Sequence, residues 1–248
     1  MPRINSISPA SADLLIRLDD VALSRGGRML FQGLTLALRE RRIGLLGDNG
    51  AGKSSFLRLL NGLLKPTAGR VTVDGLDTVK DRAALPSRIG FVFQNVDHQI
   101  VFPTVLEEVT FGLREQGMDP RAADARARAE LGRHGCADWA ETAVHELSEG
   151  QKQRLCIIAI VAMRPAVLVL DEPFSSLDLP TRLTLADMLR DLPQRVVLAS
   201  HDLDLLAQMD RLLWFESGAL RADGAPHDVI AAYVAHAEDA RGRLRAIP

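Results

Sequence analysis

The chain has 248 residues, with 30 Lys and Arg against 32 Asp and Glu, 47% apolar residues, two cysteines and one tyrosine. That length buries a sizeable core as one large domain or two small ones, and a net charge of -2 excludes a strongly cationic nucleic-acid binder, which needs surplus Lys and Arg to displace counterions. The longest apolar run, nine residues from Leu155 to Met163, is too short to cross a bilayer, and residues 1–13 lack the apolar stretch of an export signal, so a soluble protein that stays in the cytoplasm is expected.

Residues 1–12 contain Ser and Pro without periodicity and read as a flexible tail. Residues 14–18 and 34–38 follow as short strands, with Gly26-Gly27 as a turn between them. Arg42-Ile43-Gly44-Leu45-Leu46 is an apolar strand that runs into Gly47. After Lys53, the residues Phe56, Leu57, Leu59, Leu60, Leu63 and Leu64 recur at helical spacing, and Lys65-Pro66 is the expected stop. Residues 71–73 and 89–93 are further strands, whereas residues 104–134 become rich in Ala, Arg and Glu and read as a mostly helical insert. Strand character returns at 167–170 and 196–199, with a helix over 179–190 between them. Strands alternating with helices imply an α/β fold with a parallel sheet, whose ligands bind beyond the carboxyl ends of the strands. Cys136 and Cys156 are far apart and form no CxxC pair, which speaks against a disulfide framework or a zinc site.

Gly47-Asp48-Asn49-Gly50-Ala51-Gly52-Lys53-Ser54, followed by Ser55, stands between a strand and a helix and fits the G-x-x-x-x-G-K-[ST] phosphate loop. Its glycines let successive N–H groups turn towards phosphates, the helix N-terminus adds a positive dipole, Lys53 reaches the β and γ phosphates, and Ser54 would ligate Mg²⁺. The strand Val167-Leu168-Val169-Leu170 ends in Asp171-Glu172. Asp171 suits the Mg²⁺ shell, and Glu172 would face the γ phosphate and take a proton from the attacking water. Gln94 and His201 each follow a strand, which makes both candidates for the γ-phosphate pocket, Gln94 also for the metal.

Leu147-Ser148-Glu149-Gly150-Gln151 resembles the signature motif of ATP-binding-cassette ATPases. Together with the phosphate loop, Gln94, Asp171-Glu172, Ser175-Ser176-Leu177-Asp178 and His201 in that order, it makes the chain similar to that family from about residue 14 to 230. The resemblance implies a P-loop NTPase with a RecA-like core, an antiparallel β subdomain and a helical subdomain at about 97–163, all within 13–235, followed by a tail over 236–248. It also implies a head-to-tail dimer in which Ser148 and the helix after it contact ATP held by the other subunit, while Asp178 communicates across the interface. Glu149 replaces the usual glycine, which sets a carboxylate near a triphosphate. Arg25 stands where the family carries an adenine-stacking aromatic, and is either a guanidinium substitute or a solvated loop residue.

The stretch from Asn95 to Val109, with Asp97-His98-Gln99 and Phe102-Pro103-Thr104, is similar to the segment of energy-coupling-factor importers that meets the membrane partner. Within that group the compact length and Gly75-Leu76-Asp77-Thr78-Val79-Lys80-Asp81 look most like the ATPase of biotin transporters, with cobalt and nickel importers as the alternative. What this resemblance implies is ATP hydrolysis powering micronutrient uptake. The ATPase would pair with itself or a related chain and would dock on an integral coupling protein and its substrate-binding membrane subunit, on the cytoplasmic side of the inner membrane. A soluble cassette ATPase outside transport is the alternative of another class; it usually carries two cassettes or a long coiled-coil insertion, for which this chain has no room.

Overall fold

The computed structural model describes residues 15–245 apart from 176; the tail expected over 1–12, the strand start at Leu14, Ser176 and residues 246–248 lie outside the described residues. A four-stranded antiparallel sheet comes first in the chain. Strand β1 (Ile16–Arg25) turns back through Gly26-Gly27 into β2 (Arg28–Leu38). Both glycines have positive φ, 58° and 76°, the conformation of a two-residue hairpin whose twist matches its strands. The strands are longer than the sequence pattern indicates, because β1 carries register shifts near Asp20, at φ 49°, that break the alternation. Strands β3 (Arg42–Leu46), β4 (Ala68–Val73) and β5 (Leu76–Asp77) follow, and the first sheet is ordered β2-β1-β4-β5.

Helix α1 (Lys53–Leu60) stops earlier than the expected Lys65-Pro66. Gly62, at φ 72°, ends it, and a Cβ there would lie 2.7 Å from Leu85 and from the Thr78 carbonyl oxygen. The helical lobe is α2 (Val105–Glu115), α3 (Pro120–Arg133) and α4 (Glu149–Ala162), inserted between β6 (Ile89–Val92) and β7 (Val167–Asp171). The second half contains α5 (Leu179–Asp191), β8 (Arg195–Ala199), α6 (Leu203–Leu206), β9 (Arg211–Glu216), β10 (Ala219–Gly224) and α7 (Pro226–Arg245). The boundary expected at 235 therefore falls inside a helix, and residues 236–245 continue α7 instead of forming a tail.

The larger sheet is ordered β10-β9-β3-β8-β7-β6, parallel except for the edge strand β10. Strands β6, β7 and β8 are buried along their whole length because both sheet faces are covered, which is why they read as continuous apolar runs. One face packs α1 and the antiparallel sheet into a shared core containing Leu18, Phe31, Leu45, Phe56, Val169 and Phe215. The other packs α4 and α5 through Ile157, Val161, Leu168, Leu185 and Leu198. Helix α4 also contributes Leu155, Ile158 and Ala162 to the separate core of the helical lobe. The nine-residue apolar run is thus a helix buried on two faces, with no need of a membrane. Cys136 and Cys156 are buried free thiols, and burial raises the pKa of both. Among the described residues no helix is long and apolar enough to cross a membrane.

Phe31 and Phe56 flank Phe215, with ring centroids 5.7 and 5.2 Å from it, so one ring of β9 joins the antiparallel sheet to α1. Phe215→Ala should cost about 3–5 kcal/mol of unfolding free energy in a denaturant titration; a loss below about 1 kcal/mol would show that these rings do not join the layers.

Candidate nucleotide site

The loop between β3 and α1 rests on β9. Gly47 has φ 145°, and a Cβ on it would lie 2.1 Å from the Phe215 carbonyl oxygen, so only glycine lets the loop approach this closely. Gly52 is at φ 108° against the Phe31 ring, and the Gly218 N–H donates to the Ala51 carbonyl at 3.1 Å. The loop is therefore set by backbone contacts from two neighbouring elements.

Over it lies a cleft of about 470 Å³ lined by residues from across the chain. Asp48, Asn49, Gly50, Gly52, Lys53, Ser54 and Ser55 come from the loop and α1, and Gln94, Glu172 and His201 from beyond the carboxyl ends of β6, β7 and β8. Arg25 borders it from the end of β1, together with Leu30. The expected phosphate-pocket residues thus converge although they are scattered along the sequence. Ser175 also lines the cleft; sequence reasoning placed it only in the string before Asp178, and no local pattern marks it as a cleft residue.

Lys53 is the hub. Its side chain is 6% exposed, and Nζ donates to the Gly47 carbonyl at 2.5 Å while lying 3.4 Å from Glu172 Oε1 and 3.2 Å from His201 Nε2. His201 Nε2 is 3.1 Å from both Glu172 Oε1 and Asn49 Oδ1. Carrying a proton, that nitrogen donates to Asn49 Oδ1; without one, it accepts from Lys53. Glu172 sits at φ 51°, its N–H bonded to the Ala199 carbonyl, and its buried Oε1 has ionic contacts but no well-aligned hydrogen bond. A left-handed non-glycine residue at the lip of a cleft is a strained conformation held by its surroundings.

Asp171 is 2% exposed at the end of β7 and does not line the cleft, but its Oδ1 accepts from the Ser54 hydroxyl at 2.9 Å. Burial raises its pKa, opposed by the Ser54 hydrogen bond and the charges of Arg58 and Lys53. A hydroxyl and a carboxylate in contact are hard oxygen donors of the kind Mg²⁺ takes, with further ligands drawn from phosphate and water. Among the described residues no cluster of three His, Cys, Asp or Glu could hold a metal by itself.

None of Leu147, Ser148, Glu149, Gly150 and Gln151 lines this cleft, nor does Asp178. Ser148 instead caps α4. Its Oγ accepts from the Gln151 N–H at 3.3 Å, and its own N–H donates to Gln151 Oε1 at 2.8 Å, a capping box that the S-x-x-Q spacing encodes. Glu149 is exposed in the first turn, where a negative charge complements the helix dipole. A Cβ on Gly150 would lie 2.5 Å from Thr181 Cγ2, so α4 meets the start of α5 there. Asp178 caps α5 through Thr181, whose hydrogen bonds hold its carboxyl below the usual carboxylate range. From the same end of α4, Lys152 reaches Asp97 at 2.9 Å and ties the helix to the segment after Gln94.

Residues 31–175 match the sequence profile of the ABC transporter family. The chain is 49% identical over 220 residues to the biotin transport ATP-binding protein BioM of Rhodobacter capsulatus, covering 89% of this chain and 94% of that protein. It is 36% identical to the energy-coupling factor transporter ATP-binding protein EcfA of Methanothermobacter thermautotrophicus, covering 87% and 72%. The structure superposes on cbiO1 of Clostridium perfringens, described as part of the ABC transporter complex cbiONQ, with a TM-score of 0.78, 29% identity and coverage of 88% and 91%. A phosphate loop pressed on β9, three strand ends meeting at one lysine, and these similarities together lead to one assignment: the chain belongs to the ABC transporter family, as an ATP-binding, ATP-hydrolysing subunit.

Proposed function

We propose that this ATPase powers uptake of a micronutrient, with biotin the favoured solute, as the motor of an energy-coupling-factor importer. The observation that carries the hydrolytic part is the meeting of Lys53, Glu172 and His201 in the phosphate-loop cleft. The similarity to the Rhodobacter biotin transport protein supports the solute.

In this reading the N–H groups of the loop, including Gly50, Ala51, Gly52, Lys53, Ser54 and Ser55, receive the phosphates at the α1 N-terminus. The Lys53 ammonium exchanges its contacts to Glu172, His201 and the Gly47 carbonyl for phosphate oxygens, which frees the Glu172 carboxylate to accept a proton from the attacking water. His201 and Gln94 then face the γ phosphate, and Arg25 faces the adenine. Ser54, Asp171 and Gln94 would hold Mg²⁺, which when bound neutralises charge on the β and γ phosphates. The Ser54–Asp171 contact supports that donor set.

Ser148 and the α4 N-terminus lie outside the chain's own cleft, which supports their use on ATP held by a second subunit, identical or related. Asp178 would relay between the two. The segment after Gln94 is ordered: Phe93 N–H donates to Gln99, and Val101 and Phe102 N–H groups donate to Glu108. It presents Val101, 72% exposed, beside the tilted ring pair of Phe102 and Phe111, centroids 5.0 Å apart. Apolar surface on the segment that follows Gln94 supports docking on an integral coupling protein, with its substrate-binding partner, at the cytoplasmic side of the inner membrane.

Glu172→Gln should retain ATP binding and lower the turnover number by about a hundredfold or more in a phosphate-release assay; undiminished turnover in the folded, assembled variant would remove Glu172 from the proton-transfer role. Purification from detergent-solubilised membranes should recover an integral membrane protein together with a biotin-binding subunit. A cobalt- or nickel-binding subunit would overturn the solute, and recovery in soluble complexes alone would overturn the transport reading while leaving the ATPase intact.

A further inference from the structure

Helix α7 lies outside the segment matched to the family, yet it reaches the phosphate loop. Tyr233, the one tyrosine of the chain, donates its hydroxyl to Asp48 Oδ1 at 3.0 Å across 185 residues of sequence. The ring is seated edge-on against Trp214, centroids 5.6 Å apart at 84°, and His236 packs on the same indole at 5.3 Å while contacting Glu216 at 2.6 Å. Trp214 pairs in register with Leu46, the residue before Gly47, so Tyr233 is anchored to the strand on which the loop rests. Burial, together with the facing Asp48, raises the pKa of the Tyr233 hydroxyl, which therefore remains a donor.

Asp48 is the single acidic residue in the loop from Gly47 to Ser54, and it borders the cleft. A carboxylate at that position repels a triphosphate unless it is turned aside, because at a few ångströms near a protein surface like charges interact strongly. We infer that Tyr233 is a positioning residue for nucleotide binding: its hydroxyl holds the Asp48 carboxylate towards α7, away from the phosphates. The inference rests on the nucleotide-binding reading of the cleft and assigns α7 a part in setting ATP affinity. Tyr233 touches no reacting atom and acts through Asp48 alone.

The test is ATP binding by calorimetry, and phosphate release against ATP concentration, for the full chain and the variants Tyr233→Phe, Asp48→Asn and both together. Phenylalanine keeps the ring on Trp214 and removes only the hydroxyl. Tyr233→Phe should raise Kd and KM about three- to tenfold, with kcat within about twofold and an unchanged melting temperature. In the Asp48→Asn background the same change should cost less than twofold, because no negative charge is left to restrain. Unchanged Kd in Tyr233→Phe overturns the inference, as does an equal penalty in both backgrounds, a fall in kcat with Kd unchanged, or a marked drop in melting temperature. A wild-type chain that binds no ATP would sink the nucleotide reading itself; a wild type that binds, with Tyr233→Phe binding equally well, removes only the role of Tyr233.

Discussion

A buried ammonium cannot be left unpaired, and the structure around the cleft follows from how Lys53 is satisfied. At 6% exposure its charge is met by the Gly47 carbonyl, Glu172 and His201, groups delivered by the ends of β3, β7 and β8. Desolvating such a charge is costly unless several partners repay it at once. The sheet order places these three strands side by side, so the same packing that buries their apolar runs brings the partners within reach of one side chain. A triphosphate carries more negative charge than the protein's own carboxylate and carbonyl, so in the proposed reading the ammonium that organises the cleft is also the group that would attract the nucleotide.

The second constraint is mechanical. Helix α4 is buried on one side against the parallel sheet and on the other within the helical lobe, so it is the beam between the two cores. Its first turn carries the signature residues, fixed by the Ser148–Gln151 capping box and by Gly150 lying against Thr181. Lys152 joins that turn to Asp97, and Asp97 follows closely on Gln94. In the proposed reading, the surface offered to a second subunit's nucleotide and the segment leaving Gln94 are therefore linked by the Lys152–Asp97 ion pair.

Much of the site was legible before folding. The G-x-x-x-x-G-K-S string between an apolar strand and a helical pattern names its own chemistry, because glycines, lysine and hydroxyl must be neighbours for the loop to cradle phosphate. The acid-ended strand and the L-S-x-G-Q string are equally local. Less legible was the end of α1, where the apolar spacing continues to Leu64 but Gly62 is needed against Leu85 and the Thr78 carbonyl. Strand β10, half-buried at a sheet edge, and α7 carry patterns too weak to stand out without their neighbours.

The sequence alone therefore determined the cassette, the phosphate loop, the acids at Asp171 and Glu172, and the order of the motifs, because each depends on spacing within a few residues that the covalent chain sets. Tertiary structure decided which distant groups meet: His201 with Asn49, Ser54 with Asp171, and Tyr233 with Asp48. It also decided that the signature residues stand away from their own cleft and that the longest apolar run is an internal helix. Those outcomes depend on the strand order β9-β3-β8-β7, which is chosen by burying two sheet faces at once. Burial of that kind is a property of the whole chain, and no short stretch of sequence encodes it.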